Sequence, residues 1–258
     1  MKPISELRVH IFADGADRPG IIEMHANPII RGFTTNPTLM RKAGISDYTS
    51  FAQDILKVIK DKPISFEVFA DDFREMEAQA LEIASWGQNV YVKIPVTNTL
   101  GQSSAALFQR LARAQVKVNA TALLTLEQVR EVANSLAGGP ACYVSVFAGR
   151  IADTGQDPVP LMAEAVEILR PLPNLKLIWA SPRELLNIFQ ADAIGCQVIT
   201  ATHDILKKLS LVGKDLREFS LETVKMFYDD ARKAGYSLEL VAEKEKGAHV
   251  GAGGISKD

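Results

Sequence analysis

Apolar positions along the chain follow two spacings in turn. Short runs rich in β-branched and aromatic residues predict buried strands, and the longer stretches after them, with apolar residues three and four positions apart, predict helices. The predicted strands cover residues 8–14, 29–36, 63–70, 90–97, 116–124, 141–148, 175–181 and 196–202. A helical pattern follows each of these strands, so the strand-then-helix unit occurs eight times.

Eight such units in a chain of 258 residues match the number of units and the size of a (β/α)8 TIM barrel. A further helix, predicted at 220–234, follows the eighth unit, and its apolar face must cover either this barrel or a neighbouring subunit. We therefore predict an α/β protein with one barrel domain over residues 1–240, this C-terminal helix included. The glycine-rich residues 241–258 are predicted to form a flexible tail.

The fourth predicted strand carries a lysine, Lys93, in the middle of an apolar run. Burial disfavours the ammonium form, so the pKa of this lysine is predicted to fall and leave some neutral amine near pH 7. A neutral buried amine can attack a carbonyl carbon and form a Schiff base. The alternative is a side chain that reaches solvent near a strand end.

Polar residues at the ends of the other predicted strands favour the reactive lysine. Active sites of this barrel form at the C-terminal ends of its strands, and a buried polar group without a partner costs about 1–3 kcal/mol. Seven of the predicted strands have polar residues at or near these ends: Asp14, Thr35, Asn36, Glu67, Lys93, Asn119, Thr121, Ser145, Arg150, Ser181 and Arg183. Such a set is expected of a catalytic site.

Composition excludes several other classes of function. The net charge is −2, and no basic run is interleaved with aromatic residues, which argues against nucleic acid and anionic membranes as partners. No stretch has the length of a membrane span, the N-terminus lacks a signal sequence, and Cys142 and Cys196 lie in apolar runs, so we expect a cytoplasmic protein with reduced thiols. The four histidines lack metal-ligand spacing, and we predict no metal and no cofactor.

Seven short motifs then identify a family resemblance. In chain order they are Ala13-Asp14, Thr34 to Pro37, Glu67, Val92 to Pro95, Asn119 to Thr121, Ser145 to Ile151 and Ala180 to Arg183. Together they resemble the transaldolase family, which includes the fructose-6-phosphate aldolases, over about residues 8–210. A Schiff-base mechanism of this kind needs no metal.

The resemblance implies catalytic roles for four residues. Lys93 would attack the ketone of a sugar phosphate, and Asp14 would take the proton of the donor's C4 hydroxyl as the C3–C4 bond breaks. Glu67 and Thr121 would hold a water that carries protons while the imine forms and hydrolyses. Asp14 could instead only cap the helix that follows it.

The resemblance also implies substrate-binding residues. The hydroxyls of the retained dihydroxyacetone unit would bind to Asn36, Asn119 and Ser145. The phosphates of donor and acceptor would bind to Arg150, Ser181 and Arg183. Thr35 and Phe147 complete the predicted site, Thr35 in a structural role.

Two residues bear on the choice within the family. Transaldolases carry glutamate on strand three and phenylalanine after strand six, where the aldolases carry glutamine and tyrosine, and this chain has Glu67 and Phe147. We therefore predict a transaldolase of carbohydrate metabolism, in the pentose phosphate pathway. It would transfer dihydroxyacetone from fructose 6-phosphate or sedoheptulose 7-phosphate to an aldose phosphate.

Alternatives remain open at this stage. They are an aldolase that releases free dihydroxyacetone, a transaldolase for a sulfonated or otherwise modified ketose, and a barrel that binds a sugar phosphate without converting it. Trp179, predicted to share the face of Ser181, would either narrow the barrel or mark a different acceptor. The short chain and its terminal helix resemble compact transaldolases that form rings, so a homo-oligomer is expected.

Overall fold

A computed structural model of the chain describes residues 2–238. Eight parallel strands close into a barrel in chain order, which confirms the predicted fold. The strands are β1 (His10–Asp14), β2 (Ile30–Thr34), β3 (Ile64–Glu67), β4 (Val90–Pro95), β5 (Val118–Leu123), β6 (Cys142–Val146), β7 (Leu175–Trp179) and β8 (Val198–Thr202). Glu67, predicted near the middle of a longer strand, is the last residue of β3.

Helices lie between the strands and after the last one. They are α1 (Arg18–Ala26), α2 (Pro37–Lys42), α3 (Tyr48–Val58), α4 (Phe73–Ser85), α5 (Ala105–Arg113), α6 (Leu126–Leu136), α7 (Ala148–Ala152), α8 (Pro158–Leu169), α9 (Leu186–Ala193), α10 (His203–Leu206) and α11 (Leu216–Lys233). The short α7 lies where the sequence predicted a loop.

Polar side chains determine where several of these helices begin. The Asp17 side chain accepts a hydrogen bond from the Gly20 amide at 2.8 Å and so caps α1, a role that the sequence left open for Asp14. Asn36 caps α2, since its Oδ1 accepts a hydrogen bond from the Leu39 amide at 2.9 Å. Asp215 caps α11, which therefore begins four residues before the predicted start at residue 220.

The described residues pack as two units, residues 2–212 and 213–238. The first unit holds the barrel with α1 to α10. In the second, α11 has no buried residue among those described, and its Val224, Phe227 and Tyr228 are exposed. The single domain over 1–240 stays a prediction, and the tail predicted at 241–258 lies outside the described residues.

The core has an inner and an outer layer, and the strands separate them. Trp179 is fully buried in the outer layer between strands and helices, whereas its neighbours Ile178 and Ala180 belong to the inner cluster. The prediction that Trp179 shares the face of Ser181 is therefore wrong. It fails because β7 ends at Trp179 and Ser181 has a left-handed backbone with φ of 59°, which breaks the alternation of the strand.

Aromatic side chains fill the lower, N-terminal part of the barrel interior. Phe12 and Tyr143 meet edge to face with ring centroids 5.7 Å apart, and Tyr91 stacks on Tyr143 at 4.4 Å. Ile178 and Val198 complete this aromatic floor. Lys117, just before β5, donates to the Gln88 carbonyl at 2.6 Å. The interior is thus closed at one end, and polar side chains lie above the floor.

Candidate active site

A cavity of about 530 Å³ opens at the C-terminal ends of the strands. It lies above the aromatic floor, at the end of the barrel where this fold builds its active sites. Ten of the twelve site residues predicted from sequence line it: Asp14, Asn36, Glu67, Lys93, Thr121, Ser145, Phe147, Arg150, Ser181 and Arg183. The other two, Thr35 and Asn119, are fully buried in the wall behind it.

Lys93 lies in the lower wall of this cavity and is only 6% exposed. The register of β3 and β4 pairs it with Glu67, and its Nζ lies 3.2 Å from Glu67 Oε2. The same nitrogen donates to the Thr35 carbonyl oxygen at 2.9 Å. The Glu67 carboxylate is therefore placed to exchange a proton with the amine.

The Asp14 carboxylate lies at the end of β1 and receives a chain of hydroxyl hydrogen bonds. Thr34 Oγ1 donates to Asp14 Oδ1 at 2.7 Å and lies 2.6 Å from Thr200 Oγ1, whose hydrogen can then be donated to Thr34. Burial raises the pKa of Asp14 and the Glu67 charge raises it further, against the opposing effects of Lys93 and Thr34. A carboxyl group with a raised pKa can act both as an acid and as a base.

An amide and two hydroxyls form a buried row across β3, β5 and β6. Ser145 Oγ donates to Asn119 Oδ1 at 2.7 Å, and Asn119 Nδ2 donates to Ser65 Oγ at 3.0 Å. Of the three, Ser145 lines the cavity. Asn119 therefore orients the Ser145 hydroxyl from behind.

Thr121 presents a buried hydroxyl without a partner. Its Oγ1 has no hydrogen bond within residues 2–238, although the residue is 1% exposed and lines the cavity. Buried polar atoms are normally paired, so this oxygen is suited to hold a water or a substrate hydroxyl. Thr35 differs, because its own Oγ1 donates to the Ser65 carbonyl at 2.9 Å and holds the barrel wall together.

Two arginines approach the cavity mouth from neighbouring loops. The Arg150 guanidinium lies 5.9 Å from the centre of the Phe147 ring, within range of a cation–π interaction. Arg183 Nη1 donates to Ser181 Oγ at 3.1 Å. Guanidinium groups bind phosphate oxygens two at a time, so this rim of the cavity suits an anionic substrate group.

Several lining residues were missed from the sequence. Thr34, Thr200 and Thr202 line the cavity, but threonine is common in strands, and only its position near the strand ends could have marked these three. Lys42, at the end of α2, is a fourth basic residue in the lining, after Lys93, Arg150 and Arg183, and had no signal in the sequence beyond its charge.

The described residues contain neither a cluster of three or more metal-ligating side chains nor a membrane-spanning helix. No group of three or more His, Cys, Asp or Glu within residues 2–238 is placed to hold a metal ion. Over the same part of the chain, none of the helices combines the length and the apolar character needed to cross a membrane.

Comparisons with known proteins agree on one family. The sequence model of the family described as Transaldolase/Fructose-6-phosphate aldolase matches residues 11–250. A probable transaldolase of Dehalococcoides mccartyi is 35% identical over 202 residues, which are 78% of this chain and 90% of that protein. A probable transaldolase of Thermoanaerobacter sp. is 32% identical over 228 residues, 88% of this chain and 99% of its own length. One of Methanococcus maripaludis is 33% identical over 199 residues, 77% and 88% of the two chains.

Proposed function

This chain belongs to the transaldolase and fructose-6-phosphate aldolase family, and from that premise we propose that it transfers a dihydroxyacetone unit from a ketose phosphate to an aldose phosphate. The donor would be fructose 6-phosphate or sedoheptulose 7-phosphate. The observation that carries this proposal is the buried Lys93 amine in the cavity wall, 3.2 Å from the Glu67 carboxylate. An amine so placed is suited to covalent attack on a ketone.

The reaction would begin with attack of neutral Lys93 Nζ on the ketone carbon. The resulting carbinolamine loses its hydroxyl as water, with a proton supplied through Glu67 and a water held at the unpaired Thr121 hydroxyl, and a protonated imine forms. Glu67 suits this task because its carboxylate lies beside the amine. The imine now withdraws electrons from the adjacent carbon–carbon bond.

Asp14 would act in the cleavage step. It takes the proton of the C4 hydroxyl, the C3–C4 bond breaks, its electron pair moves to the imine to give an enamine, and an aldehyde phosphate leaves. The enamine then attacks the aldehyde of the acceptor, whose oxygen receives the proton back from Asp14. Its raised pKa supports this exchange, because burial makes the carboxyl hold a proton more readily than in water.

The remaining cavity residues would bind the substrate. Asn36 and Ser145 offer polar groups to the hydroxyls of the dihydroxyacetone unit, with Asn119 as the support of Ser145. Arg150, Ser181 and Arg183 would bind the phosphate group.

The second candidate is an aldolase that releases free dihydroxyacetone. Phe147 favours the transferase, because a phenyl ring has no hydroxyl to position a water for release of the three-carbon unit. In this structure the ring instead lies beside the Arg150 guanidinium.

The deciding experiment measures release of glyceraldehyde 3-phosphate from fructose 6-phosphate, with and without erythrose 4-phosphate. Turnover that requires the acceptor and disappears in Lys93→Ala supports the transaldolase. Acceptor-independent turnover by the wild type would assign the chain to the aldolases instead. If neither condition gives turnover, borohydride reduction in the presence of other phosphorylated or sulfonated ketoses shows whether Lys93 forms an imine with a different substrate. A protein that binds a sugar phosphate without converting it would gain no covalent mass on Lys93.

We further propose a cytoplasmic homo-oligomer, a ring of several subunits, that acts in the pentose phosphate pathway. The exposed apolar residues of α11 support the assembly, because a soluble protein rarely leaves such a helix face uncovered. Sedimentation that shows only a 28.2 kDa species would contradict this proposal.

A further inference from the structure

Arg183 is held at the cavity rim by a carboxylate outside the predicted site. Its Nε donates to Asp153 Oδ1 at 2.8 Å and its Nη2 to Asp153 Oδ2 at 2.5 Å. Both oxygens of one carboxylate thus engage two neighbouring N–H groups, the bidentate geometry that orients a guanidinium plane. Asp153 directly follows the last residue of α7, so the contact joins the segment after β6 to the loop after β7.

The hydrogen bonds of Arg183 leave part of its guanidinium free to bind a ligand. A guanidinium has five N–H groups. Asp153 takes one on Nε and one on Nη2, and Ser181 takes one on Nη1. Among the described contacts, one N–H on Nη1 and one on Nη2 remain. Each of these N–H groups can donate to an oxygen of a phosphate group.

The backbone also joins the two arginine-bearing loops. The Gly149 amide lies 3.4 Å from the Ala180 carbonyl oxygen, and a Cβ built on Gly149 would lie 1.5 Å from the Ser181 carbonyl oxygen. Only glycine allows this approach. Arg150 therefore follows a residue packed directly against the loop of Arg183, and Asp153 adds an ion pair between the same two loops.

We propose that Asp153 is a positioning residue for the anion-binding site. It fixes Arg183 so that the two remaining N–H groups face the substrate's phosphate, while Arg150 approaches from the other loop. This inference rests on the proposed function for the identity of the substrate. The Arg183 guanidinium lowers the pKa of Asp153, so the carboxylate stays ionised at neutral pH and the orienting contact persists.

Asp153 would thus favour a phosphorylated substrate without taking a direct part in the chemistry. Loss of Asp153 should weaken binding of the phosphate group and leave the reaction of Lys93 with a small unphosphorylated ketone unchanged.

The test uses glucitol 6-phosphate, which has no carbonyl and therefore binds without forming an imine. Calorimetry on the full-length protein should show a dissociation constant about tenfold higher in Asp153→Asn, as expected when a charge-assisted hydrogen bond loses its orientation. Asp153→Glu, which keeps the charge, should restore part of the affinity. Glu77→Gln is the matched control, because it breaks a comparable exposed pair with Arg110 outside the cavity, and it should bind like the wild type.

A double-mutant cycle separates positioning from a general loss of structure. In an Arg183→Ala background, Asp153→Asn should cause no further loss of affinity, because the group it orients is gone. Borohydride trapping of dihydroxyacetone on Lys93 should proceed at the wild-type rate in Asp153→Asn.

Three outcomes would overturn the inference. The first is unchanged or tighter binding of glucitol 6-phosphate by Asp153→Asn, and the second is a loss of affinity from Asp153→Asn that is as large in the Arg183→Ala background as in the wild type. The third is no binding of glucitol 6-phosphate by the wild type. Failure of the proposed function is distinguished by the turnover assay, because the wild type would then show no acceptor-dependent release of glyceraldehyde 3-phosphate, whereas the effect of Asp153→Asn on the binding of glucitol 6-phosphate would remain.

Discussion

The two ends of the barrel interior are built from the same strands but differ in chemistry. On β1, β4 and β6 the floor residues Phe12, Tyr91 and Tyr143 pack ring against ring. Two residues further along the same strands stand Asp14, Lys93 and Ser145, which line the polar cavity. A step of two residues keeps the side chain on the inner face and moves it about 7 Å toward the mouth.

This difference separates stability from function within single strands. The floor is built from packed aromatic and aliphatic side chains, and it contributes to stability through apolar burial. The cavity holds ionisable groups that burial penalises, and these persist only where hydrogen bonds and charges pair them. We therefore expect substitutions at the floor to change the free energy of unfolding, and substitutions at the mouth to change activity.

The largest effect is expected for Lys93→Met. Removal of the amine prevents imine formation, so turnover should fall by about four orders of magnitude or more, as when other covalent nucleophiles are removed. The assay is aldehyde phosphate release, with mass spectrometry after borohydride reduction.

The same site allows a matched stability test. The double variant Lys93→Met/Glu67→Gln removes both members of the buried ion pair, and it should be at least as stable to denaturant as the wild type. A marked loss of stability in the double variant would show that these cavity residues, too, contribute to the free energy of unfolding.

Phe12→Ala should have the next largest effect, this time on stability. Phe12 is 1% exposed and contacts Tyr143 in the floor, so truncation should lower the free energy of unfolding by about 3–5 kcal/mol. Urea denaturation measures it. Turnover per folded molecule should stay near the wild-type value, and Phe12→Leu should lose less stability. Inactive but stable Phe12→Ala would contradict the division between floor and mouth.

The smallest effect is a change of stability with pH in Asp14→Asn. Burial raises the pKa of Asp14 in the folded state, so the folded protein binds this proton more tightly than the unfolded chain does. Ionisation of Asp14 therefore destabilises the wild type as the pH rises above the ordinary carboxyl value of 3.8 and through the raised folded pKa. Relative to the wild type, the variant should gain stability across this window and show no gain below it. Denaturation curves from pH 3 to pH 8 measure the gain, and a constant difference at all pH values would contradict the raised pKa.

The barrel and the centre of the cavity could be predicted from sequence because their signals are local. A lysine within an apolar strand and an aspartate at the end of another stand out against their neighbours, and the strand-then-helix alternation is regular enough to count. Lys93 and Asp14 accordingly lie in one cavity.

What escaped prediction depends on contacts distant in sequence or on unusual backbone. Trp179 and Ser181 lie on different faces because Ser181 has a left-handed φ, which a serine does not suggest. Asp153 is 30 residues from its partner Arg183 and looks like an ordinary surface residue. Thr34 and Thr200 form one hydrogen-bond chain only because the barrel closes β8 beside β1 and β2.

The closed aromatic floor also constrains the order of events in the proposed reaction. Phe12, Tyr91 and Tyr143 pack below Lys93 and close that end of the barrel interior. The first aldehyde therefore leaves, and the acceptor enters, through the same opening at the cavity mouth. One must depart before the other enters. The enamine on Lys93 then persists after the first aldehyde has left and before the acceptor binds. Double-reciprocal plots of rate against donor concentration, at several fixed acceptor concentrations, should therefore be parallel lines.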